Sequence, residues 1–306
     1  MSGAGGLKVA LGACLLVLGG CATGSGSHPA KPSDVARMAM AREMVSQGDW
    51  AGAFPMLNEL HRQWPDDAEV LTLRGIVYRE RGLYADSEAD LRAALKVAPE
   101  DAEAHAALGI LFDVQMRPDA EAEHREAVKL APQNPAYLNN LGFSLFLREH
   151  FKDAIKEYEK AARLAPLSRR VRTNMGFAYA AIGDLPSAKR EFEMGGNEAD
   201  AKNNLGFAYE RRGDMANAYD MYLEAVRLDP HAARARSNLM HAALALKRPV
   251  PPEATTPPPA PPAPPGYVPV APASQVPGAA APANLDKQPV DLAAPAAAPP
   301  LPLTSP

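Results

Sequence analysis

Two cysteines, Cys14 and Cys21, are all that this 306-residue chain contains, and both lie at its extreme N-terminus. No disulfide framework and no cysteine-based metal site can therefore organise the remaining residues. The seven histidines (His28, His61, His105, His124, His150, His231 and His241) are scattered and show no HExxH spacing. Phosphate-cradling GxGxxG and Walker-type loops are also missing. Lysine and arginine number 32 against 36 acidic residues, for a net charge of −4, and form no basic cluster. Nucleic acid is accordingly not expected as a partner. The longest apolar run, Val9 to Leu18, is too short for a bilayer-spanning helix, which needs about 20 residues. With no convergent nucleophile, base or metal ligand, the chain is not expected to be an enzyme, to carry a cofactor or to turn over a small-molecule substrate.

The sequence contains three compositionally distinct parts. Residues 1–20 have Lys8, the apolar run and then small residues, as a cleaved signal peptide does. Leu18-Gly19-Gly20-Cys21 resembles the bacterial lipobox, which implies that the Cys21 thiol takes a diacylglyceryl group and becomes the first mature residue. Residues 21–33, rich in Gly, Ser and Pro, read as a flexible tether. Ala22 rather than Asp follows the lipobox cysteine, so a lipid anchor on the periplasmic face of a Gram-negative outer membrane is expected. At the other end, 20 of the 58 residues from Pro249 to Pro306 are proline and four are charged. Such a segment has little to bury, so 249–306 is expected to stay extended and disordered.

The middle repeats. Gly75, Gly109, Gly142, Gly176 and Gly206 recur at intervals of 30 to 34 residues, each with apolar residues before it and a small residue twelve positions later, or eleven after Gly109. With Ala41 in the glycine's place, six units can be laid down: 34–67, 68–101, 102–134, 135–168, 169–198 and 199–232. A covering helix at 233–247 completes a domain over 34–248. These units resemble tetratricopeptide repeats. In the fourth, Leu138, Leu141, Gly142, Leu145, Ala154, Tyr158, Ala161 and Pro166 carry the signature; in the sixth, Leu205, Gly206, Tyr209, Gly213, Ala218, Tyr222, Ala225 and Pro230. The resemblance implies an all-α, right-handed solenoid of six helix hairpins (helices A and B) plus a capping helix. The small residues permit close helix contact, the large ones fill the space beside it, and the proline ends helix B. One hairpin cannot bury its apolar face alone, so stacking supplies the stability. The third unit lacks one turn residue, and Pro118 is expected to open its second helix. The fifth is short by about one helical turn near Gly195 and Gly196.

In this fold the partner is held on the surface lined by the A helices. The residues at those positions form a groove that is apolar in its centre: Ile76, Ile110, Asn139, Phe143, Phe146, Leu147, Phe177, Asn203 and Phe207. They are expected to face a segment of another protein. Asn140, Asn174, Asn204 and Asn238, one per unit, are expected to make structural hydrogen bonds.

Residues Asp101 to Ile155 resemble the pilotin lipoproteins of type IV pilus biogenesis, which implies an outer-membrane scaffold that assists a secretin. The short fifth unit followed by "GNEADAKNNLGFAYERRGD" is also similar to repeat lipoproteins of tight-adherence pilus secretion. An adaptor for cell-wall hydrolases or their proteases is the remaining alternative.

Overall fold

A computed structural model describes residues 32–255 of the protein. Cys21, the signal segment, the tether up to residue 31 and the tail from residue 256 lie outside the described residues. Six antiparallel hairpins follow one another. They are α1 (Pro32–Ser46) with α2 (Trp50–Gln63), α3 (Ala68–Glu80) with α4 (Tyr84–Val97), and α5 (Ala102–Val114) with α6 (Ala120–Leu130). Next come α7 (Pro135–Leu147) with α8 (Phe151–Leu164), α9 (Arg169–Ala181) with α10 (Leu185–Gly195), and α11 (Glu198–Arg211) with α12 (Met215–Leu228). A thirteenth helix, α13 (Ala233–Ala245), packs on α12, and a short turn, α14 (Pro252–Thr255), follows it. No described helix is long and apolar enough to cross a membrane.

Local chemistry sets the punctuation. Asp67, Asp101, Asn134, Ser168 and Asn197 each precede an A helix, and their side chains accept backbone N–H groups of its first turn. Each such cap contributes about 1 kcal/mol. Between A and B the chain passes through one left-handed residue: Gly48, Gly82, Gly183 and Gly213 in four hairpins, but Met116 and Glu149 in the third and fourth. Prolines 99, 132, 166 and 230 lie just past the B-helix C-caps, where no further helical N–H is needed.

The repeated glycines serve close packing. A Cβ on Gly75, Gly109, Gly142, Gly176 or Gly206 would lie within 2.5–2.7 Å of Leu91, His124, Tyr158, Phe192 or Tyr222 respectively, one residue from the B helix of the same hairpin. That contact is the axis of every hairpin. Stacking then buries apolar side chains in clusters that run from Ala41 to Ala120, from Leu138 to Ala178, from Ala180 to Ala208 and from Ala218 to Ala242.

Two details differ from the sequence reading. Pro118 does not open α6: it lies in a turn, and the helix begins at Ala120 after Asp119. The extended tail does not begin at Pro249 either. Residues 252–255 form a helical turn against α12 and α13, where Ala254 joins the last cluster and Glu253 lies 3.5 Å from Arg227. The exposed end of the array gives those residues something to bury, which composition could not reveal.

Candidate partner-binding face

Each A helix approaches the A helix of the next hairpin: α1 meets α3, α3 meets α5, and so on to α9 and α11. No comparably close approach joins successive B helices from α2 to α12. A stack that is crowded on the A side and splayed on the B side curves with its A helices inside. The inner wall is thus the A-helix surface.

That curvature also covers most of the residues expected to line an open groove. Ile76, Ile110, Asn139, Phe143, Phe146 and Asn203 are buried. The crowding of neighbouring A helices leaves no room for an open central channel at these positions. Phe146 is a core residue: its ring lies 5.3 Å from that of Phe151, inside the cluster of the fourth and fifth hairpins. Leu147 and Phe177 are half-buried, and Phe207 alone of the nine is exposed, at 39%. Phe177 lies between Phe192 of its own hairpin (4.9 Å, edge-on) and Phe207 of the next A helix (5.8 Å, edge-on). At the next equivalent position α13 carries His241, which pairs with Glu210 at 3.3 Å. The row of rings therefore ends with Phe207 showing its surface. Glu210 also accepts the Tyr222 hydroxyl at 2.6 Å, and burial, this hydrogen bond and the Glu210 charge hold that phenol neutral well above its usual range.

The amides form pairs between hairpins. Asn174 Nδ2 donates to Asn139 Oδ1 and Asn238 Nδ2 donates to Asn203 Oδ1, both at 2.9 Å. The Nδ2 of buried Asn139 has no partner. At the N-terminal end the inner wall is ionic instead. Arg42 spans three A helices, meeting Glu69 at 2.8 Å and Glu103 at 3.0 Å. Tyr137 lies in the field of the same groups; its hydroxyl is pushed up to about 12, first by burial and then by Glu103 and Asp101, with Arg42 opposing.

Two buried polar groupings were missed in the sequence. Arg74 makes a two-pronged bond to Asp90 (2.6 and 2.8 Å) at a position where the other hairpins from the third onward carry Leu108, Leu141, Met175 and Leu205. His124 occupies the position of Leu91, Tyr158, Phe192 and Tyr222, with Nε2 2.9 Å from Asp113. Laying the units over one another carried both signals: each is a polar residue in an apolar column. Among the described residues no group of three or more His, Cys, Asp or Glu could hold a metal ion.

Residues 44–111, 135–168 and 199–231 each match a family described as tetratricopeptide repeat. Together with the hairpin geometry this defines the class: the chain is built of tetratricopeptide repeats, an architecture that works as a protein-interaction scaffold. Within that class it is similar to the type IV pilus assembly protein PilF of Pseudomonas aeruginosa, at 33% identity over 81 residues. That stretch is 26% of this chain and only 32% of the relative's length. Among solved structures, PilW, a widely conserved type IV pilus biogenesis factor, aligns over 69% of this chain and all of its own, with 17% identity and a TM-score of 0.58. A tetratricopeptide repeat protein from Parabacteroides merdae aligns over 71% of this chain and 88% of its own, with 16% identity and a TM-score of 0.57. At these identities the structural likeness is one of fold.

Proposed function

We propose that the protein is a lipid-anchored scaffold of the outer membrane that holds a segment of a type IV pilus component, a secretin foremost, on the inner face of its C-terminal hairpins. The observation that carries the binding reading is the exposed ring of Phe207, at the open end of the Phe192–Phe177–Phe207 row. Similarity to the PilF segment supports the pilus assignment, and the lipobox-like run ending at Cys21 supports the anchor. Covering the rest of the Phe207 ring would contribute about 2 kcal/mol. A micromolar complex requires about 8 kcal/mol net, so a partner must gather further contacts from the half-buried Phe177 and from backbone groups along the face.

Deletion of the protein should abolish heat-resistant secretin multimers on denaturing gels; unchanged multimers would remove the secretin reading. Phe207→Glu should abolish cross-linked capture of the pilus partner while circular dichroism stays at its wild-type value and Tm falls by only about 2–4 °C, the loss of one ring–ring contact of about 1 kcal/mol. Cys21→Ser should shift the protein from membrane to soluble fractions, and continued membrane association would exclude the anchor.

A further inference from the structure

The clusters of buried apolar side chains run across every hairpin boundary but the one between the third and fourth hairpins. Phe177 and Tyr179 pack against both the cluster of the fourth and fifth hairpins and the one after it, and Tyr209 likewise bridges the last two. The buried cluster of the first three hairpins stops at Ala120, and toward the one that begins at Leu138 only the partly buried Val128 of α6 reaches across. A polar latch occupies the α5–α7 side of that junction. Asp113 of α5, itself buried, accepts from His124 Nε2, Ser144 Oγ and Arg148 Nη1, all at 2.9 Å, and Arg148 Nη2 reaches the Arg117 carbonyl at 2.6 Å.

Three further features meet there. A solvent-open cleft of about 370 Å³ is lined by Asp113, Met116 and Pro118 of the third hairpin and by Leu147, Arg148 and His150 of the fourth. The two non-glycine left-handed turns, Met116 and Glu149, flank it. Four buried polar atoms without a partner lie on or beside the same helices: Gln115 Oε1, His124 Nδ1, Asn139 Nδ2 and Asn140 Oδ1. Buried groups of this kind are unfavourable in the closed form and are relieved by water on opening. Hydrogen bonds, unlike interdigitated side chains, can be exchanged for water at small net change.

We propose that the boundary between the third and fourth hairpins is a built-in hinge, latched by Asp113 and Arg148, whose opening parts α5 from α7 and uncovers Ile110 and Phe143 on the inner face. Both residues are buried, and neither belongs to an apolar cluster. The two bodies on either side, residues 32–130 and 135–255, keep their own buried clusters, and Val128 of α6, packed on the second, sits at the pivot. The hinge gives the inner face the apolar area that the closed form withholds.

Spin labels measure this directly on the full chain with Cys14 and Cys21 replaced by serine. One pair, at Lys129 on α6 and Lys152 on α8, spans the boundary; a control pair, at Lys152 and Lys189 on α10, spans the next one. The seam pair should give two distance populations and the control pair one. Arg148→Met, which removes the bonds to Asp113 and to the Arg117 carbonyl, should raise the longer population about tenfold, the equivalent of two lost hydrogen bonds at the lower end of their range, and leave the control unchanged. Ser144→Ala, which removes a single bond to Asp113, gives a smaller shift in the same direction should Arg148→Met fail to fold. A seam distribution as narrow as the control in wild type and in the folding variant would overturn the hinge. No partner enters the measurement, so its outcome is separate from that of the binding reading.

Discussion

The first three hairpins and the last three line the same inner wall with different chemistry. In the first, Arg42 ties α1 to α3 and α5 through two carboxylates, so the charges satisfy one another and offer a partner little. In the last, amide pairs and edge-on rings take over, and each ring is covered by its successor until the row runs out at Phe207. An inner face that closes on itself is a strut. One that ends on a ring with an open face is where the proposed partner would dock. The difference lies not in the helices, which are alike, but in what occupies the inward positions.

The largest test of this contrast is inside the hairpins. Tyr158 fills the space above Gly142 and is fully buried, so Tyr158→Ala should lower unfolding free energy by about 4 kcal/mol. In the second hairpin the adjoining space is held by the Arg74–Asp90 pair, each residue less than a tenth exposed. Asp90→Ala leaves a buried guanidinium unpaired and should cost about 3 kcal/mol, whereas Arg74→Met with Asp90→Leu should return to within about 1 kcal/mol of wild type. Urea unfolding of the three variants checks both. If the double variant stays as unstable as the single, the ionic half depends on its charges more than the apolar half depends on its rings.

How much of this was legible follows from what a repeat encodes. The glycine column, the B-helix prolines and the large residue facing each glycine are local requirements of one hairpin, and they stand in the sequence as a period. Burial of Phe143 or Ile110 depends on how tightly successive A helices crowd, which depends on the stacking of whole hairpins. No single position carries that. The assignment of Phe146 to the groove failed for a related reason: its partner, Phe151, lies across the turn on the next helix, where a helical stripe drawn on α7 alone does not reach. His124 and Arg74 were legible in principle, as polar residues in apolar columns.

Smaller effects separate the two inner walls further. Asn174→Ala removes the donor to buried Asn139 and should destabilise by about 1 kcal/mol, with little change in high salt. Arg42→Ala should cost less than about 1 kcal/mol, since that guanidinium is 44% exposed, and the loss should vanish as salt is raised. A loss that salt erases against one that salt leaves alone is the signature of an ionic wall against an amide wall. Tyr137 adds a pH marker to the ionic end. Its folded value of about 12 lies above the unfolded value of about 10, so the stability tied to its neutral form is intact below about pH 10 and lost as pH rises from about 10 to 12. Tyr137→Phe should flatten the fall of Tm across that window.

The smallest predicted change is a gain, at the boundary between the halves. Glu149 adopts φ 62° in a turn where the first, second, fifth and sixth hairpins use glycine. A side chain in the left-handed region costs about 1–2 kcal/mol locally, while glycine adds freedom to the unfolded chain that offsets part of the relief. Glu149→Gly should therefore stabilise the fold by about 0.5 kcal/mol, visible as a small rise in Tm. The same substitution adds backbone freedom beside the cleft lined by Leu147, Arg148 and His150. If Tm instead falls, the side chain at this turn contributes more to holding the two halves together than the left-handed backbone costs, and the fourth hairpin's turn is part of the latch.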